Sequence, residues 1–133
     1  RLNLTGRAFR RLWIACIVLG VAALVAASLL PIPSVELEGG SDKFWHFLTY
    51  FVLALFSAGI VPAERLWRLA LRCLLLGAGL EAAQAFLTET RQADWADMAA
   101  NAAGILCAWM IVRGRRAGWA RHVESWLARR AER

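Results

Sequence analysis

Apolar residues fill four long stretches of this chain, and polar residues gather at their ends. Residues 12–30 form 19 consecutive positions without a charge. Residues 44–61 form 18 positions, interrupted only by His46. Residues 66–87 form 22, with Arg68 and Arg72 near the start and Glu81 near the end. Residues 95–112 form 18, with Asp97 and Asn101 near the start. A helix of about 20 residues spans roughly 30 Å of hydrocarbon. The first stretch is apolar on every face, whereas a helix of a soluble bundle is apolar along one stripe. The pattern therefore predicts an all-α fold, an integral membrane four-helix bundle over residues 1–116, rather than a soluble bundle.

The punctuation agrees with four spans. Pro31 and Pro33 close the first, and Gly39-Gly40-Ser41-Asp42 is turn chemistry, with Ser41 or Asp42 as the N-cap of the second helix. Pro62-Ala63-Glu64-Arg65 reads as a tight hairpin, residues 88–94 as a loop, and Asp94 as a cap for the fourth helix. Arg7, Arg10 and Arg11 precede the first stretch, as in a signal peptide, but its length and the Ser28-Leu29-Leu30-Pro31 ending argue for a retained helix. Residues 117–133 form a second unit. There Trp119, Val123, Trp126 and Leu127 share one helical face and Arg121, Arg129 and Arg130 lie elsewhere, the pattern of an amphipathic helix on a membrane surface. A solvated basic tail is the simpler alternative. Gly77, Gly79 and their alanine neighbours, facing Ala99, Ala100, Ala103 and Gly104, suggest that the third and fourth helices pack closely.

Charge adds orientation. Of 16 basic residues, 14 fall before the first helix, around the 62–65 hairpin or after the fourth helix, and only Lys43 and Arg91 lie on the other side. Basic residues favour the cytoplasmic face, which puts both termini inside and residues 31–43 and 88–94 outside. The net charge of +6 then reports topology and attraction to membrane lipids, and no nucleic-acid partner is implied. Cys16, Cys73 and Cys107 lie on three different helices without metal-ligand spacing, and read as packing residues.

The polar residues converge once the helices alternate in direction. Asp42, Lys43, His46 and Tyr50 enter the membrane from outside along one face of the second helix, and Asp94, Asp97 and Asn101 do the same on the fourth. Glu81 and Gln84 lie near the outer end of the third, followed by Arg91. Ionisable groups at such depth are costly unless partnered or functional. Each has a bland reading as well. His46 alone is more often structural than catalytic, Lys43 and Arg91 can snorkel to headgroups, Tyr50 and Trp95 suit an interfacial belt, and Gln84 and Asn101 can bond between helices.

The order and spacing Asp42-Lys43-x-x-His46-x-x-x-Tyr50, Glu81-x-x-Gln84 and Arg91-x-x-Asp94-x-x-Asp97-x-x-x-Asn101-x-x-Gly104 resembles that of VanZ-like membrane proteins, over residues 40–110. Ala108 departs from the pattern, where a second glycine is expected. The resemblance implies a multi-pass protein of the bacterial inner membrane, in a family associated with resistance to the glycopeptide teicoplanin. It names a family more firmly than a reaction.

On chemistry, Lys43 and Arg91 form a natural clamp for a phosphate or carboxylate, with Asp42, Tyr50, Gln84, Asp94 and Asn101 as further ligand-binding groups. His46, beside Glu81 and Asp97, is the candidate general base or nucleophile. No cofactor is expected, and one histidine among scattered carboxylates, at best His46, Glu81 and Asp97, is too weak a signal for a metal centre. Two functions fit: a hydrolase or transferase acting on a lipid-linked phosphate or glycopeptide-related ligand, or a non-enzymatic lipid-binding or proton-coupled transport protein. In either, Arg91 should contact Glu81, Asp94 or Asp97, and His46, Glu81, Arg91, Asp97 and Asn101 should line one cavity opening between the second, third and fourth helices.

Overall fold

The computed structural model describes residues 6–30, 39–87, 94–113 and 116–131. Among them the chain is all-helical: α1 (Gly6–Leu29), α2 (Gly39–Ala58), α3 (Leu66–Leu87), α4 (Trp95–Val112) and α5 (Ala120–Ala131), with a 3₁₀ turn, Ala63–Arg65, leading into α3. Three helical segments, Gly6–Leu29, Ala63–Leu87 and Trp95–Val112, are long and apolar enough to cross a membrane. The segment that falls short is α2, whose first three turns carry Asp42, Lys43, His46, Thr49 and Tyr50.

The helix starts differ from the expectation in one place. α2 begins at Gly39, so Ser41 and Asp42 lie inside its first turn and not at the position before it. A carboxylate there still complements the positive end of the helix dipole. Asp94 does cap α4: its backbone is extended and its carboxylate accepts the Ala96 N–H at 2.8 Å. The hairpin is formed as read, with the Arg65 N–H donating to the Pro62 carbonyl at 3.0 Å.

The closest helix pair is α2 with α4, not α3 with α4. Asp97, Asn101, Gly104, Ile105 and Ala108 form the buried face of α4. At Gly104 a Cβ would overlap the Phe47 carbonyl oxygen and come within 2.9 Å of the Phe51 backbone nitrogen, so only glycine lets the two backbones approach this closely. The contacts Lys43–Asp94 and His46–Asn101 are 51 and 55 residues apart, a nearly constant offset that makes the two helices parallel. α3 runs antiparallel to them. Its Leu66 packs with Ala58 and Val112, and its Cys73 with Tyr50, Ala54 and Ile105. Of its two glycines only Gly77 is buried, against Tyr50 and Asn101, while a Cβ on Gly79 would meet open space. The small residues of α3 therefore serve one contact and not a whole seam.

α1 is attached at its two ends. Near the start, Trp13 stacks on Phe56 with centroids 4.2 Å apart, and its indole N–H donates to the Phe56 carbonyl at 3.0 Å. Near the end, the Ser28 carbonyl accepts from Gln84 Nε2 at 3.1 Å. Between these points most of α1 is exposed, and Cys16 with it.

The last carbonyls of a helix have no partner within it. At the end of α2 the chain around residue 119 supplies them. Trp119 Nε1–H donates to Leu55 O at 3.1 Å, and the Gly118 and Ala120 N–H groups donate to Ala58 O and Gly59 O at 3.1 and 3.0 Å. Gly118 adopts φ 68°, which aims the N–H groups on either side of it at these acceptors. Trp119 thus lies in the turn before α5, not on the helix, and beyond it Trp126 and Leu127 are exposed.

Candidate functional site

Two helix N-termini and one C-terminal half meet at one end of the bundle. α2 brings Asp42, Lys43, His46 and Tyr50, α4 brings Asp94, Asp97 and Asn101, and α3, running the other way, brings Glu81 and Gln84. Nine of the ten residues anticipated there are described, and all nine lie at this end. The tenth, Arg91, lies outside the described residues, as does its expected contact with a carboxylate.

His46 is the hub. Its Nδ1 lies 3.2 Å from Asn101 Oδ1 and 3.8 Å from Glu81 Oε1. Its Nε2 lies 3.5 Å from Asp97 Oδ2 and 3.9 Å from Asp42 Oδ1. The side-chain oxygen of Asn101 can only accept, so Nδ1 carries a hydrogen, and Nε2 faces two carboxylates. Glu81, Asp97 and Asn101 are all buried. Tyr50, buried too, closes the floor beside Gly77.

Lys43 reaches across to α4. Its ammonium lies 2.5 Å from Asp94 Oδ2 and 2.6 Å from Asp97 Oδ1. The hydrogen bond from Lys43, together with the Ala96 N–H, holds the Asp94 carboxyl below the usual carboxylate range. Lys43 is therefore committed to two carboxylates and is not poised as an anion clamp. Among the described residues the site contains four carboxylates, Asp42, Glu81, Asp94 and Asp97, against this one ammonium.

The cavity differs from the expected one. A cleft of about 240 Å³ opens between α1, α2 and α3, lined by Asp42, His46, Glu81 and Gln84 with Leu24 and Ser28 of α1. Of the four described residues expected to line one cavity, His46 and Glu81 do so and Asp97 and Asn101 do not. Asp97 and Asn101 lie behind His46, because Gly104 presses α4 so closely onto α2 that no gap remains there. The contribution of α1 was missed. Its one signal in the sequence is Ser28, the only hydroxyl in residues 12–30.

A second groove, about 460 Å³ and almost wholly apolar, runs along α1 and α2 between Cys16, Gly20, Leu48, Val52 and Phe56. Leu24, Trp45 and Thr49 line both this groove and the polar cleft, so the two adjoin.

Comparison with protein-family models, with curated proteins and with solved structures finds no match to this chain. The likeness to VanZ-like proteins rests on the spacing of its own residues.

Proposed function

We propose that the chain is a VanZ-like, multi-pass protein of the bacterial inner membrane that binds a lipid-linked ligand at the outer leaflet and uses His46 to move a proton on it. In this reading α2 is the fourth span and both termini are cytoplasmic, following the distribution of basic residues. The observation that carries the proposal is that the polar cleft adjoins the apolar groove, with Leu24, Trp45 and Thr49 lining both. An amphipathic molecule matches that shape, with its headgroup against His46 and Glu81 and its chain along α1.

The chemistry follows from the ring. With Nδ1–H held by Asn101, Nε2 can accept a proton from a hydroxyl or water in the cleft, and Asp42 and Asp97 stabilise the imidazolium that results. This arrangement suits a hydrolase or transferase acting on a phosphate-bearing lipid. The pairing of Lys43 with Asp94 and Asp97 favours a second reading, a lipid-binding or proton-coupled carrier without turnover, because it leaves no free ammonium among the described residues to neutralise a transferring phosphate.

The test is native mass spectrometry of the detergent-purified chain. A Cβ on Gly20 meets nothing within 4 Å, so Gly20→Trp should fold and fill the groove. Retained lipid should fall at least tenfold in that variant, and equal retention would refute the lipid reading. His46→Ala separates the two functions: lost turnover with lipid retained marks the enzyme, lost retention the carrier.

A further inference from the structure

Three acceptor atoms from three side chains converge on one point: Asp42 Oδ1, His46 Nε2 and Asp97 Oδ2. One ligand atom from each of these residues lies within 4.8 Å of the other two, and the pairs through His46 Nε2 are only 3.5 and 3.9 Å apart. The set differs from the one the sequence suggested, with Asp42 in place of Glu81. A lone pair facing two carboxylates is repulsive unless something positive sits between them. Only a proton or a metal ion is small enough for that gap.

We propose that Asp42, His46 and Asp97 form a binding site for a first-row divalent metal ion, with Zn²⁺ as its natural probe. Four features support a metal over a proton alone. Metal–nitrogen and metal–oxygen bonds of about 2.0–2.2 Å place neighbouring ligand atoms roughly 3–3.5 Å apart, close to the 3.5 and 3.9 Å of the two pairs through Nε2. One imidazole with two carboxylates is a donor set that first-row ions accept. The Nδ1–H bond to Asn101 is the outer contact that fixes a metal-ligating tautomer. Finally, the four carboxylates exceed the one ammonium among the described residues, and a divalent cation offsets the difference. Asp97 can serve both charges at once, Oδ1 toward Lys43 and Oδ2 toward the metal.

Three protein ligands leave coordination positions open, and Asp42 and His46 both line the cleft. With the ion bound, Nε2 is a ligand and no longer a proton acceptor, and the ion would instead present a positive centre to a phosphate-bearing headgroup, supplying the clamp that Lys43 cannot. That last step rests on the lipid reading above; the metal site itself does not.

The experiment uses the tag-free full chain in detergent, dialysed against Zn²⁺ and then against metal-free buffer. Elemental analysis should find one ion per chain. His46→Ala should abolish retention, Asp42→Asn should weaken it at least tenfold, and Asn101→Ala should weaken it about 10- to 100-fold. His122→Ala, the other histidine of the chain, on α5, should bind as the parent does. Circular dichroism confirms helix content in each variant, and Asp42, half-exposed at the rim, gives a substitution that the fold tolerates. Absence of stoichiometric Zn²⁺ in the parent, or parental affinity in folded His46→Ala, would overturn the proposal. Titration of dodecyl phosphate with and without Zn²⁺ separates the two ideas. Metal retained with no gain in alkyl-phosphate affinity sinks the headgroup role alone, whereas alkyl phosphate bound equally without any retained metal sinks the metal site alone.

Discussion

The two ends of this bundle hold their helices together with different chemistry. At one end Trp13, Phe56 and Trp119 interlock, Trp13 lying flat on Phe56 and edge-on to Trp119 with centroids 5.2 Å apart. Their indole N–H groups donate to the Phe56 and Leu55 carbonyls near the end of α2. Every group in that lock is neutral. At the other end α2 meets α3 and α4 through an ammonium, a histidine and four carboxylates. Neutral donors suffice to tie α1, α2 and the 116–119 turn together, so packing alone does not call for ionisable groups. The ionisable groups at the other end are costly to desolvate unless partnered or functional, and they are the groups that the proposed function employs.

The largest effect should come from separating the two helices that carry most of the site. A Cβ at Gly104 overlaps a backbone carbonyl, which cannot swing aside as a side chain would. Gly104→Ala should therefore cost at least the 1–3 kcal/mol typical of overpacking and disturb the Lys43–Asp97 and His46–Asn101 contacts together. Gly79→Ala, whose Cβ points into open space, should stay within about 1 kcal/mol of the parent. Thermal unfolding in detergent measures both. Equal stability of the two variants would mean that α2 and α4 do not meet at Gly104.

Much of this end was legible in the sequence, because helical spacing places residues three and four apart on one face whatever the surroundings. The Lys43–His46–Tyr50 and Asp97–Asn101–Gly104 stripes needed only the period of the helix and alternating direction. What the spacing does not carry is which stripe meets which. The alanines and glycines of α3 and α4 looked like mutual partners, yet backbone approach is decided at single positions, and Gly104 selects α2. The opening of the cleft was hidden for a related reason. It depends on α1, which is too uniformly apolar to signal a contact face. The docked turn at Gly118 was hidden as well, since the amphipathic pattern suggested a free surface helix while the acceptors it caps belong to α2.

The aromatic end should answer to a smaller change. Trp119→Phe keeps the ring and deletes the N–H that satisfies Leu55 O. A hydrogen bond of this kind contributes about 0.5–1.5 kcal/mol, and the unfolding temperature should drop accordingly. Zn²⁺ binding should not change, because the lock is at the opposite end from His46. A Trp119→Phe variant that lost ligand binding at unchanged stability would show that the two ends are coupled and would weaken the contrast between them.

The smallest effect sharpens the charged side. Asp94 has its carboxyl held below the ordinary value by Lys43 and by the Ala96 N–H, and it lies outside the helices read as spans. A carboxylate with a depressed folded-state value stabilises the fold above its unfolded value, near 4, and loses that contribution as pH falls through the depressed one. Between pH 5 and 8 the group is charged in both states, so its contribution is constant there. The loss should begin only below about pH 4. Because the carboxylate is exposed, solvent screens the pair and the slope should be shallow. Asp94→Asn should remove that acid-side slope and leave the neutral plateau flat, as read from unfolding temperatures in steps from pH 3 to pH 8. An acid-side slope of unchanged size in Asp94→Asn would assign the proton uptake to another carboxylate of the cluster, and Lys43 would then owe its position to Asp97 alone.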